Sequence, residues 1–138
     1  MSSDRPGPRV LCCGTFDHFH PGHESFLAQA AALGTELFVV IARDENVKRI
    51  KGRLPDHSEE ERMAAVEGAG IADDVRLGNK GANLLQVVSE IAPDVIALGY
   101  DQRPPKGLAD AFPQSEIVTL KPHRPDIYKS SLFRRGEE

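Results

Sequence analysis

The chain has 138 residues, enough for one domain with a single sizeable core and too few for two ordinary ones. Hydrophobic residues make up 40% and charged residues 28%, a globular composition, and a net charge of −4 argues against a broad nucleic-acid-binding face while leaving room for a phosphate-bearing small molecule. No run approaches about eighteen apolar residues, and "MSSDRPGPRV" lacks the build of a secretory signal, so neither a membrane span nor export is expected and the cytoplasm is the expected location.

"RVLCCG" (9–14) reads as a buried strand ending in glycine. It carries the only cysteines, Cys12 and Cys13, which point to opposite faces of a strand and are expected to be reduced, buried thiols. Residues 22–33 place Phe26, Leu27, Ala30 and Ala31 at helical spacing, with Gly34 as the expected cap. "ELFVVIAR" (36–43) has the β-branched, continuously apolar character of a central parallel strand. "DENVKRIKGRLPDH" (44–57) is polar, basic and interrupted by Gly52 and Pro55, and is expected to be a loop with at most one helical turn. Ser58 and Glu61 form a capping box that opens a helix through Ala69. A weak strand, "DDVRLG" (73–78), is followed by a helix over 82–92 that stops before Pro93, and by a strong strand, "DVIALG" (94–99). A short helix near 106–112, a strand at "EIVTL" (116–120), the loop "KPHRPDI" and a last helix from Tyr128 complete the pattern.

Five alternations of strand and helix predict an α/β fold: a single Rossmann-like domain over 1–138, with a five-stranded parallel sheet, right-handed crossovers and helices on both faces. Residues 1–8 and 136–138 are expected to be loose. In such sheets a ligand binds outside the carboxyl ends of the strands, at the point where the strand order reverses.

The segment "GTFDHFHPGHESF" (14–26) leads from the first strand into the first helix and holds three histidines within positions 18–23. Pro21 suits a first helical turn and Gly22 permits close approach of a ligand or another backbone. His20 and His23, three apart across the helix start, can bring their rings to one side over the positive end of the helix dipole; His18 need not face the same way. Three readings are open: a metal site of His18, His20 and His23, a structural helix start, and a phosphate-handling pair. The spacing matches no known zinc pattern, so no metal ligand is assigned.

Gly14-Thr15-Phe16-Asp17 followed by His20-x-Gly22-His23 resembles the signature of the cytidylyltransferase-like nucleotidyltransferases, the H-x-G-H superfamily related to class I aminoacyl-tRNA synthetases. "VKRIKGR", "EEERMAAVE", "ALGYDQ" and "HRPDIYKSSLFR" resemble further segments of that family in the same order, so the likeness runs from about residue 9 to 134. Within it, the loop and "LGYDQ" look most like the archaeal-type FAD synthases, which join FMN to the AMP moiety of ATP. Glycerol-3-phosphate cytidylyltransferases are next. They carry Gly-Asp-Asp-Trp where this chain has Gly99-Tyr100-Asp101-Gln102, and a hydroxyl where it has Lys129.

The resemblance implies a nucleotidyltransferase, most closely an FMN adenylyltransferase; a CTP-dependent cytidylyltransferase on a small phosphoester and a non-catalytic nucleotide-binding module are the alternatives. It implies catalytic roles for His20, His23, Lys48, Lys51 and Arg124. Nucleotide binding falls to Gly14, Thr15, Phe16, Gly22, Gly99, Tyr100, Asp101, Ser130 and Ser131, and acceptor binding or loop ordering to Asp17 and Arg62. ATP as substrate, Mg2+ as the divalent cation, FMN as acceptor and a homodimer as assembly are further implications. Lys48 and Lys51 are expected on a mobile basic loop that closes over the phosphates.

Overall fold

In the computed structural model, which describes residues 8–79, 85–99 and 107–121, strands and helices alternate along the chain. In order they are β1 (Arg9–Gly14), α1 (Pro21–Ala31), β2 (Glu36–Ile41), α2 (Asp44–Lys51), α3 (Glu59–Ala69), β3 (Asp74–Leu77), α4 (Leu85–Ile91), β4 (Val95–Leu98), α5 (Leu108–Ala111) and β5 (Glu116–Thr119). The sheet runs β3-β2-β1-β4-β5 with every neighbouring pair parallel. From β1 the chain moves outward through β2 to β3, then returns to the far side of β1 for β4 and β5. The connections leaving β1 and β4 therefore diverge, and a crevice opens where Gly14 and Leu98 end adjacent strands.

The period-2 alternation of the strands sorts the core into two clusters. Val10, Cys12, Leu37, Val39, Ile41, Val95 and Ala97 pack with Leu27 and Ala30 of α1 and Val66 of α3. Leu11, Val40, Ile96 and Leu98 pack on the opposite face with Val87, Val88 and Ile91 of α4 and Leu108 of α5. Cys12 belongs to the first cluster and Cys13 packs against the second, both as free thiols. Burial raises both pKa values, that of Cys13 to about 12.

Two expectations give way. Residues 44–51 form a helix, not a loop. Its inward side consists only of Asn46 and Val47, so the composition reads as polar even though the segment is anchored. Asp44 and Glu45 occupy its first turn and Lys48, Arg49 and Lys51 its last, which suits the helix dipole, and Gly52 at φ 86° ends it in the left-handed region. Gly34 does not cap α1, whose C-cap is Ala32. Gly34 instead passes beneath the Pro8 carbonyl, where a Cβ would lie 2.4 Å from the oxygen. The strand expected over 36–43 ends at Ile41, and the loop after Lys121 and the last helix lie outside the described residues. Among the described residues no helix is long and apolar enough to cross a membrane.

Candidate active site

Beyond Gly14 the backbone makes two left-handed turns, at Phe16 (φ 56°) and His18 (φ 53°), on either side of Asp17. Such conformations cost side-chain-bearing residues about 1–3 kcal/mol each and persist only where the surroundings hold them. The Phe16 ring folds back over Gly14, where a Cβ would stand 2.9 Å from Phe16 Cε2, so this position excludes a side chain. Phe16 is buried and meets the edge of His23, with ring centroids 5.4 Å apart.

The helix start is a capping box built from imidazoles. His20 is the N-cap residue and its Nδ1 accepts the Gly22 N–H at 3.0 Å, while His23 Nδ1 accepts the His20 N–H at 3.3 Å. The two rings stack with centroids 3.9 Å apart and planes 24° from parallel, and Phe19 stacks on His23 at 5.5 Å. With Nδ1 accepting in both rings, the hydrogen-bond pattern assigns the proton of each neutral imidazole to Nε2. Burial, then the neighbouring His20, lowers the His23 pKa to about 3; burial, then His18, lowers that of His20. The pair is therefore neutral at physiological pH and offers N–H donors without bringing charge of its own.

Asp17 and Arg62 tie this turn to the rest of the molecule from inside. Asp17, 2% exposed, accepts the Asp56 N–H at 2.7 Å on Oδ2 and the His57 N–H at 3.1 Å on Oδ1, with His57 Nδ1 2.9 Å from the same oxygen. Arg62, 1% exposed on α3, donates to His57 O at 3.0 Å, Thr15 O at 2.9 Å and Asp44 Oδ1 at 2.6 Å. One guanidinium thus links α3, the loop before it, the β1–α1 turn and the start of α2. Asp44 Oδ2 accepts the Glu59 N–H at 3.3 Å and Glu59 Oε1 accepts the Asp44 N–H at 2.8 Å, which fastens the starts of α2 and α3 together.

Lys48 and Lys51 stand exposed on the last turn of α2, three apart on one helix face and not on an open loop. Gly99 directly follows β4, across the crevice from Gly14. Tyr100, Asp101, Arg124, Ser130 and Ser131 lie outside the described residues. His18 does not join the stacked pair; its Nε2 lies 2.6 Å from Asp56 Oδ2. Asp44, Asp56 and His57 were missed as partners of this site. Their contacts with it span 18 to 40 positions, and no local spacing announces them.

The chain is 52% identical over 95 residues to a FAD synthase of Methanosarcina barkeri and 50% identical over 102 residues to one of Methanosarcina acetivorans, matches that cover 69% and 71% of this chain. They span 66% and 65% of those relatives, just under two thirds of their length. The fold superposes with a TM-score of 0.77 on a lipopolysaccharide core biosynthesis protein of Thermoplasma volcanium, at 33% identity, covering 85% of this chain and 98% of the other. Cytidylyltransferase-like proteins as a family match residues 11–134, nearly the whole chain and every element just described apart from the first two residues of β1, and to that family the chain belongs.

Proposed function

We propose that the protein transfers the adenylyl group of ATP to the phosphate of FMN, forming FAD and releasing pyrophosphate. The observation that carries this reading is the neutral, stacked His20–His23 pair at the start of α1, beside the crevice between β1 and β4. The likeness to FAD synthases supports the choice of nucleotide and acceptor.

A phosphate monoester has its second pKa near about 6, so the FMN phosphate is already an anionic nucleophile at neutral pH and needs no strong base. Its oxygen attacks the α-phosphorus in line, and the bond to the pyrophosphate oxygen breaks. The site must hold a crowded triphosphate and stabilise charge moving onto the leaving group. The Nε2–H groups of His20 and His23 serve the α-phosphate and the departing β-phosphate. Backbone amides of Thr15 and Phe16, with room left by Gly14 and Gly22, hold the α-phosphate over the helix N-terminus. Lys48 and Lys51 close on the phosphates from α2. Ser130, Ser131 and Arg124 take the β- and γ-phosphates, and Gly99, Tyr100 and Asp101 take the base and ribose. Asp17 and Arg62 order the surrounding loop.

Mg2+ prefers oxygen ligands and retains waters. The triphosphate supplies those oxygens, whereas the turn is rich in imidazole nitrogen, so the ion belongs to the MgATP substrate, where it neutralises phosphate charge. The reading further places one domain over residues 1–138, in the cytoplasm and as a homodimer, with sedimentation as the test of assembly.

The deciding experiment incubates the protein with Mg2+, either ATP or CTP, and either FMN or glycerol 3-phosphate, and follows pyrophosphate release. Release only with ATP and FMN supports the proposal. Release with CTP and glycerol 3-phosphate replaces it with a cytidylyltransferase, and nucleotide binding without release replaces it with a non-catalytic binding module.

A further inference from the structure

Beside the stacked pair lies a second group of imidazoles that the proposed transfer does not use. His18 and His57 meet edge to face with ring centroids 4.9 Å apart, and each has a carboxylate against one ring nitrogen: Asp56 Oδ2 at 2.6 Å from His18 Nε2, and Asp17 Oδ1 at 2.9 Å from His57 Nδ1. Asp17, His18 and His57 each offer one ligand atom, and these atoms all lie within 4.8 Å of one another. Around a tetrahedral ion with ligands at about 2.0–2.1 Å, ligand atoms sit roughly 3.3 Å apart. Small side-chain rotations close that difference, because His18 and His57 are partly exposed, with side chains 27% and 46% accessible.

We propose that Asp17, His18 and His57 bind a divalent transition-metal ion of the Zn2+ or Co2+ class, which clamps the 52–58 loop to the turn between β1 and α1. Two imidazoles and a carboxylate are the donors that such borderline ions select, and they suit Mg2+ poorly. In the hydrogen bond between them His57 Nδ1–H donates to Asp17 Oδ1; ligation moves that proton to Nε2, so that the Nδ1 lone pair and Asp17 Oδ1 both face the ion and the neutral ring gains or loses no net proton. Asp17 is the rigid member, being buried and already gripping the loop through the Asp56 and His57 N–H groups. Asp56 holds the His18 ring in place, as carboxylates beyond the ligands of metal sites commonly do. The ion would set the distance between the loop that follows α2 and the segment bearing His20 and His23. The site is independent of which nucleotide or acceptor the protein uses.

The test is titration of the tagless, full-length chain with Co2+ in the absence of nucleotide, read by its visible ligand-field bands, and with Zn2+ by calorimetry. The expected result is one equivalent bound. His57→Gln and His18→Gln should each abolish the bands, Asp56→Asn should weaken Co2+ binding about 10- to 100-fold, and circular dichroism of each variant should match the parent. Tryptic cleavage after Lys51 and Arg53 should slow when Zn2+ is added to the parent and not to His57→Gln. Absence of stoichiometric binding overturns the proposal. So does binding that survives His18→Gln and His57→Gln together, or that is lost only when His20 and His23 are replaced. None of these readings depends on adenylyl transfer, so failure here leaves the proposed activity standing and failure of that activity leaves the metal site standing.

Discussion

Arg62 Nη2 and Asp44 Oδ1 meet at 2.6 Å, joining a fully interior guanidinium on α3 to a carboxylate at the first residue of α2 that is one-third exposed. The pair is asymmetric. Removing Asp44 leaves a buried positive charge with only carbonyl partners, whereas removing Arg62 leaves a carboxylate that water can reach. Asp44→Ala is therefore expected to cost about 3–5 kcal/mol, the range for stranding one member of a buried pair. Arg62→Lys should also destabilise, because an ammonium cannot span the three acceptors that the planar fork reaches. Urea unfolding of both variants checks this, and a loss below about 1 kcal/mol in Asp44→Ala would show that the buried charge is satisfied without its partner.

His23→Ala should lower kcat for adenylyl transfer by about 10²–10³, the typical loss for one preorganised donor to transition-state charge. It should also remove half of the helix-capping arrangement, at a cost nearer about 1 kcal/mol than the loss of a core residue. A folded variant with turnover within about threefold of the parent would end the catalytic assignment.

The same rings make stability depend on pH with a definite sign. The unfolded chain takes up protons on histidine near pH 6.5, while folded His23 resists them down to about 3 and folded His20 is lowered in the same direction. The unfolded state thus binds more protons between those values. Stability should be complete above about pH 6.5 and fall as the pH drops, by up to about 1.4 kcal/mol per pH unit for His23. Urea midpoints at pH 7.5 and 5.5 measure the slope, and His23→Gln should flatten it. An unchanged slope in that variant would mean that the ring titrates as it does in water.

Replacing Lys48 and Lys51 together by alanine should lower kcat at least about tenfold with a smaller effect on KM, because their contacts strengthen as charge moves to the leaving pyrophosphate. Alanine favours the helical conformation of α2, so circular dichroism should show no loss of helix and any kinetic change reports the charges. An unaltered kcat would make the two lysines solvated surface charge.

Cys12 should resist alkylation in the native state at pH 8, and Cys13, which is only partly buried, should react more slowly than in the unfolded chain, since burial raises the pKa of both thiols. Counting modified thiols by mass before and after unfolding checks this; rapid labelling of native Cys12 would contradict the packing of β1.

The parts legible in the sequence are those specified by neighbours. The run 9–14 is apolar enough to declare a buried strand, and Ser58 with Glu61 declares the start of α3 at three-residue spacing, as the observed cap shows. The helix over 44–51 stayed hidden because its anchor is two inward residues, one of them the polar Asn46, which donates to Asn79 O across the molecule. His20 and His23 were legible as a pair on one side of a helix start. Their capping bonds were not, since hydroxyl and carboxylate side chains are the ordinary occupants of those positions. Asp17 with His57 and Arg62 with Asp44 are creations of the tertiary fold: no period in the chain relates positions 17 and 57.

Each imidazole of the stacked pair divides its two nitrogens between two tasks: Nδ1 accepts from the backbone at the start of α1, and in the proposed transfer Nε2–H is the donor to the substrate. A substitution at either position is therefore read twice, once by the scaffold and once by the chemistry. A descendant that abandoned catalysis would still need something to begin this helix. The histidines would then persist for architectural reasons after their chemical use had ended, so under the proposed function telling a working copy from a silent one requires a residue that does not also begin the helix, and the exposed Lys48 of α2 is a better witness than the motif itself.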